Sequence, residues 1–225
     1  MNGSEASGLP HVMRAVAAAA AAYPLQRKLL VCRRTGVGRE LLRSLAVRGH
    51  GWANIEVTTP RQLAHQLVAS DLAAQGLEVA DEFEELSLLD AAMDAVLEGA
   101  GGRLAELAEG PGLRQAVASS VRALRLAGVT AAELERARFR DEDKRAQIGR
   151  ILDDYEQRLR DARRVDGAAL LARATASLAV GDARLPDALV LLMPGQNRRG
   201  LNGALLAALQ ERGARVLEED AVHGM

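Results

Sequence analysis

The sequence predicts an α/β fold in which a parallel sheet is interrupted by a large all-helical insertion. Two short apolar runs, Lys28 to Cys32 and Asn54 to Thr58, flank a helical stretch near the start of the chain. A third run, Ala188-Leu189-Val190-Leu191-Leu192-Met193, is uninterrupted, as in strands buried on both faces of a parallel sheet. Between them, roughly a hundred residues carry only helical periodicity. The resulting organisation is 1–75 for the first part of the α/β domain, 76–180 for the insertion and 181–225 for the return to the sheet.

Composition bounds the class. With 225 residues, 48% hydrophobic and 26% charged, the chain is long and apolar enough to bury a real core. Its 29 Lys and Arg balance 30 Asp and Glu, which excludes a uniformly basic nucleic-acid binder but leaves room for a local basic face. The single Cys32 excludes a disulfide framework and reads as a small core residue in a reducing compartment. Aromatics are only 2%, so few rings are left for base stacking.

Taken in order, Met13 to Ala22 reads as a helix leading into the first strand; the run Ala17–Ala22 lacks the Leu-rich h-region of a signal sequence. No stretch approaches the roughly 20 apolar residues of a membrane span, so the expectation is a soluble, cytoplasmic protein with no membrane partner. After the first strand, Arg39 to about Val47 is helical, and Gly49-His50-Gly51 turns into the strand Asn54–Thr58. Pro60 suits the first turn of a helix carrying Leu63, Ala64, Leu67 and Val68. In the insertion, Leu86, Leu89, Met93 and Val96 mark one amphipathic helix and Leu113, Val117, Val121 and Leu124 another, with breaks at Gly99–Gly102 and Glu109–Gly112. Thr130-Ala131-Ala132-Glu133 is a capping box. Lys144 to Ala162 is the clearest helix, with Ile148, Leu152, Tyr155, Leu159 and Ala162 inward and Asp153, Glu156, Arg160 and Asp161 on a solvated face. Pro194-Gly195 ends the third apolar run, Gly203–Gln210 is helical, and Arg215–Glu218 is a last strand.

The segment after the first strand, Arg33-Arg34-Thr35-Gly36-Val37-Gly38-Arg39-Glu40, has the layout of a P-loop without its chemistry. A working P-loop closes backbone N–H groups on phosphates, reaches the β/γ oxygens with Lys and holds Mg²⁺ with a Ser or Thr hydroxyl. Arg39 stands at the Lys position and Glu40 at the hydroxyl position. A carboxylate there repels phosphate, and Arg does not match the compact charge of Lys. The residues therefore predict a nucleotide-binding fold that no longer turns over nucleotide, with ATP and Mg²⁺ lost as cofactors.

The order of these motifs resembles the N-terminal helicase-like half of the AddB-type subunit of bacterial helicase–nucleases, in the PD-(D/E)XK nuclease family. Against the superfamily 1 helicase P-loop A-x-x-G-x-G-K-T, Gly36 and Gly38 match while Arg33, Arg39 and Glu40 depart. Ile55-Glu56-Val57-Thr58-Thr59-Pro60-Arg61-Gln62-Leu63-Ala64 looks like motif Ia, whose threonines lie near single-stranded DNA in the family. Lys144, Tyr155, Leu159, Asp166, Leu170, Leu171 and Ala174 are similar to the family's pattern in the inserted subdomain 1B. Motif II would end a strand in Asp-Glu, whereas here Met193-Pro194-Gly195 follows the strand. The resemblance spans about Tyr23 to Glu218 and implies a RecA-like sheet, DNA binding by Thr58, Thr59 and Arg61, a degenerate nucleotide site at Gly36, Gly38 and Arg39, and an ATPase-active helicase subunit as partner. Arg198 and Arg199 join the DNA-binding candidates because they follow the carboxyl end of an apolar strand, where ligands of open α/β sheets collect. It also implies a parent exonuclease whose nuclease domain is not in this segment. Glu142-Asp143-Lys144 sits at a helix start and Pro186-Asp187 comes after it, the wrong order for the nuclease pattern. Since the sequence stops at Met225 just after a strand, before the second RecA-like domain or nuclease motif the resemblance implies, the expectation is a fragment of a longer protein.

Other chemistry is thin. His11, His50, His65 and His223 lack metal-ligand spacing, and Asp153-Asp154 and Glu218-Glu219-Asp220 read as solvated faces or a strand edge. Arg33-Arg34, Arg163-Arg164 and Arg198-Arg199 are phosphate-contact candidates if the fold gathers them. Three functions follow: a noncatalytic DNA-binding scaffold acting in double-strand-break repair, an ATPase with an atypical P-loop, or a protein-interaction module.

Overall fold

A computed structural model describes residues 10–98, 111–183, 185 and 187–217. The chain divides into two compact units, Met1–Leu67 with Ala174–Met225, and Val68–Arg173.

In the first unit, a parallel four-stranded sheet has the order β2-β1-β5-β6, with β1 Lys28–Val31, β2 Ile55–Thr58, β5 Leu189–Leu192 and β6 Arg215–Val216. The centre of the sheet is β1, buried at all four positions as its apolar run requires. Lys28 is the exception in kind: its Nζ donates to the carbonyls of Tyr23 at 2.5 Å and Gln26 at 2.7 Å, and burial lowers its pKa. Helices α1 (His11–Ala22) and α2 (Thr35–Val47) cover one face, where Met13, Val16, Leu42 and Leu45 pack with Leu30, Cys32, Leu191 and Met193. Helix α9 (Gly200–Glu211) connects β5 to β6 and buries Leu205, Leu206 and Leu209.

Helix α2 departs from expectation at its start. It begins at Thr35, not Arg39, so Gly36 and Gly38 lie in its first turns and only Cys32, Arg33 and Arg34 connect it to β1. The reason is packing: a Cβ on Gly38 would stand 2.5 Å from a Val57 methyl and 2.7 Å from the Cys32 sulfur, whereas Gly36 faces open space. Gly38 lets the helix press onto the sheet from its first turn.

Cys32 under that contact is fully buried, and burial pushes its thiol up from 9.0 to about 11. An acid whose pKa rises on folding holds its proton more tightly in the fold. Its contribution is therefore complete below pH 9.0 and is lost as pH rises toward about 11. Unfolding free energy is expected to fall across that window and to lose this slope in Cys32→Ala. The folded chain should also resist a disulfide thiol reagent at neutral pH; rapid labelling without unfolding would refute the buried placement.

The chain leaves the sheet unit through α3 (Pro60–Gln75) and returns through α8 (Gly167–Val180). In the second unit, α4 (Glu82–Leu97), α5 (Pro111–Ala127), α6 (Ala131–Arg136) and α7 (Glu142–Asp161) close around Leu89, Met93, Val121, Ile151, Leu152 and Tyr155. Thr130 caps α6 as its sequence predicts: its hydroxyl accepts from Glu133 N at 3.2 Å and its N donates to Glu133 Oε2 at 2.9 Å. The unit is not all-helical. Two-residue strands β3 (Glu78–Val79) and β4 (Arg164–Val165) pair in parallel and are too short to leave a period in the sequence. Leu86 is exposed and Leu97 takes its place in the core, because Glu85 and Leu89 centre the inward face of α4. Ala162 caps α7 and is exposed. Glu156 is not on a solvated face; it pairs with Arg125 at 2.5 Å. Gly112 lies within α5 instead of a break, while the expected break at Gly99–Gly102 and the end of the last strand at Glu218 fall outside the described residues.

Candidate functional site

Neighbouring strands β1 and β5 run in register, Val31 opposite Leu192, so the segments that follow them leave the sheet side by side, about 4.8 Å apart at their roots. From β1 the chain crosses to β2 on one side, and from β5 to β6 on the other. This reversal is the switch point of an open parallel sheet, outside whose carboxyl ends ligands of such folds collect.

Arg33 and Arg34 follow β1; Arg198 and Arg199 follow β5 after the turn Pro194-Gly195, in which Gly195 has φ 71°. All four arginines are exposed. Arg34 and Arg199 are the N-cap residues of α2 and α9, and neither helix start has a side-chain cap. Two helix N-termini with unsatisfied N–H groups thus begin at adjacent strand ends beside guanidinium groups, a combination that favours anions. Arg39 lies one turn into α2 and is also exposed, and Arg61 is exposed in the first turn of α3 after β2.

The β5–α9 segment is held rather than free. Gln196 Nε2 donates to the Val31 carbonyl at 2.7 Å, which ties the segment to the end of β1. Asn197 Oδ1 accepts from Arg199 N at 3.1 Å. Gly203 has no Cβ because one would overlap the Arg198 carbonyl, so the backbone of Arg198 lies against α9. Arg198 reaches Gln210 Oε1 at 3.4 Å. The sequence reading gives Gly203 only as a helix start and does not single out Gln196 or Asn197, although polar residues between a Pro-Gly turn and a helix are a usable signal.

The two threonines have structural duties. Thr58 is 2% exposed, and its carbonyl accepts from Cys32 N at 2.8 Å. Thr59 caps α3: its hydroxyl accepts from Gln62 N at 3.3 Å, and its N donates to Gln62 Oε1 at 3.0 Å. Glu40 is exposed and bound to Arg43 at 3.0 Å; that hydrogen bond and the Arg43 charge hold its carboxyl below the usual range. Its charge is thus directed along α2, one turn past the helix start.

Arg163 and Arg164 do not join this site; they serve the second unit. Arg163 Nη2 donates to the Gln75 carbonyl at 2.7 Å, and Arg164 pairs with Glu78 and, at 3.0 Å, with Glu84. Of the residues shared with the 1B-like pattern, Lys144 is exposed and the others have packing or capping roles. Tyr155, Leu159, Leu170, Leu171 and Ala174 are buried, and Asp166 caps α8 by accepting from Ala169 N at 2.8 Å. Burial, then the Asp166 and Glu85 carboxylates, push the Tyr155 phenol up.

Among the described residues no group of three or more His, Cys, Asp or Glu is placed to hold a metal ion, and no helix is long and apolar enough to cross a membrane. No protein-family model matches this chain, and no curated protein matches it.

Proposed function

We propose that this chain is a noncatalytic, helicase-like DNA-binding scaffold, a RecA-like parallel sheet carrying a helix-rich insertion, from an AddB-like helicase–nuclease subunit of a bacterial cytoplasm. It supports end processing in double-strand-break repair beside a subunit that hydrolyses ATP. The observation that carries the proposal is the pair of arginine-bearing helix starts, Arg33-Arg34 and Arg198-Arg199, at the carboxyl ends of adjacent strands β1 and β5. Guanidinium groups and unsatisfied N–H groups bind phosphate oxygens without reading sequence, which suits a DNA backbone. The three-residue connection from β1 to α2 lacks the length to wrap a triphosphate, and Gly38 serves close packing.

The test measures binding of fluorescent single-stranded DNA and of a labelled ATP analogue at two salt concentrations. Expected is DNA binding that weakens with salt and no Mg²⁺-dependent nucleotide binding. In Arg198→Ala/Arg199→Ala the slope of log affinity against log salt should fall by about 1.4, the release expected for two phosphates on a single strand. Tight Mg²⁺-dependent nucleotide binding would refute the proposal in favour of an ATPase with an atypical loop. Binding of neither ligand would refute it in favour of an interaction module, whose surface would be the exposed Phe83 and Leu86 of α4.

A further inference from the structure

The chain holds one Trp, two Tyr and two Phe, and three of these rings are held by burial, a hydrogen bond or a cation contact. Tyr155 is buried, Trp52 Nε1 donates to the Leu42 carbonyl at 2.8 Å, and Arg215 lies 5.6 Å from the centre of the Tyr23 ring. Phe83, Trp52 and Phe139 are exposed, by 79%, 39% and 37%, and of these the Trp52 ring is tethered through its Nε1. The immediate sequence neighbours of Phe83 and Phe139 have opposite charge. Phe83 sits among Asp81, Glu82 and Glu84 at the start of α4, whereas Phe139 sits between Arg138 and Arg140, with Arg136 at the end of α6. Among the described residues neither Arg138 nor Arg140 forms a salt bridge.

The α6–α7 loop is fixed at both ends. Arg145 of α7 donates through Nη1 to the Glu135 carbonyl and, at 3.5 Å, to the Ala137 carbonyl, and Ala137 N donates to Leu134 O at 3.1 Å. Asp141 caps α7, its Oδ1 accepting from Lys144 N at 3.0 Å. Of the three acids that follow the loop, Asp141 is committed to this cap, Glu142 pairs with Arg145, and Asp143 is exposed and lines the same recess as Arg140. A three-residue tip, Arg138-Phe139-Arg140, is left presented to solvent on an ordered base, so little conformational freedom is lost when it binds.

We infer that this tip is a stacking contact for single-stranded nucleic acid, with a base on the Phe139 ring and flanking phosphates on Arg138 and Arg140. An aromatic face accepts any base, and the paired guanidinium groups supply the salt-dependent part. The inference rests on the reading that nucleic acid is the ligand, but it uses residues of the other unit from those of the sheet edge.

The test compares oligothymidylate with an abasic strand of equal length, binding each to the full chain, to Phe139→Ala, to Phe139→Trp and to Arg198→Ala/Arg199→Ala. Phe139→Ala is expected to lose about tenfold in affinity for oligothymidylate and nothing for the abasic strand, with an unchanged salt slope and unfolding midpoint. Phe139→Trp should restore binding and show quenched fluorescence on oligothymidylate. Equal affinity of Phe139→Ala and the parent chain for oligothymidylate would overturn the inference while leaving the sheet edge standing if the arginine variant weakens. Loss in Phe139→Ala with none in the arginine variant would support the tip and overturn the sheet-edge reading. Absence of binding by the parent chain would overturn both.

Discussion

Replacing Arg125 by alanine is expected to cost about 3–5 kcal/mol of folding stability, more than any other single change proposed for this chain. Arg125 projects from α5 and forks onto Asp166, Nε to Oδ2 and Nη2 to Oδ1, each at 3.0 Å, while Nη1 reaches Glu156 at 2.5 Å. The side chains of Arg125 and Asp166 are 17% and 5% exposed, so water cannot replace the lost partner. Burial lowers the Arg125 pKa, but hydrogen bonding and attraction to Asp166, then attraction to Glu156, outweigh it and leave the guanidinium more firmly protonated than usual. The pair also joins α5 to the start of α8, where Asp166 caps the helix. Most of the cost comes from the carboxylate stranded in the protein interior, so Arg125→Met combined with Asp166→Asn should recover a large part of it. Asn keeps a capping oxygen and carries no charge. Urea unfolding of both single variants and the double variant would measure this coupling. A loss below about 1 kcal/mol in Arg125→Ala, the range of an exposed ion pair, would refute the buried assignment.

The second large effect separates two glycines that look alike in the sequence. Gly38→Val is expected to destabilise by about 1–3 kcal/mol, because the added carbons enter space held by Val57 and Cys32, and a β-branched side chain there has no free rotamer. Gly36→Ala should stabilise by about 0.5–1 kcal/mol: the position is helical, open, and relieved of glycine's backbone entropy. Thermal unfolding of the two variants gives the answer directly. If both behaved alike, the glycines would be turn residues and the helix would not start at Thr35.

Much of the sheet was legible in the sequence because buried parallel strands leave unbroken apolar runs, as at Leu189–Leu192. The capping box at Thr130 and the inward face of α7 were legible for a similar reason: spacing along one helix is a local property. The start of α2 was not legible, since Gly-x-Gly after a strand is compatible with both a loop and a helix pressed on its sheet. Leu86 was misassigned because leucine alone does not say which side of a helix faces the core, and Glu85 turns inward instead, with Gly167 N donating to its Oε1 at 3.2 Å. At the candidate site the arginine pairs could be read from sequence, but not that Arg163-Arg164 belongs elsewhere. Nor could it show that Gln196 would lock the β5–α9 segment to β1.

What the sequence by itself determined is the alternation of strand and helix around a helix-rich stretch, and the residue types Arg39 and Glu40 that follow the Gly36-Val37-Gly38 run. These follow from local periodicity and residue chemistry. Only the tertiary structure decided that β1 and β5 are neighbours, that Arg33-Arg34 and Arg198-Arg199 share one end of the sheet, that Gly38 serves packing, and that Arg125, Glu156 and the buried Asp166 form one partly buried cluster. Those facts depend on contacts between residues far apart in the chain. The free energy of such contacts comes from burial and pairing in three dimensions, which no local pattern records.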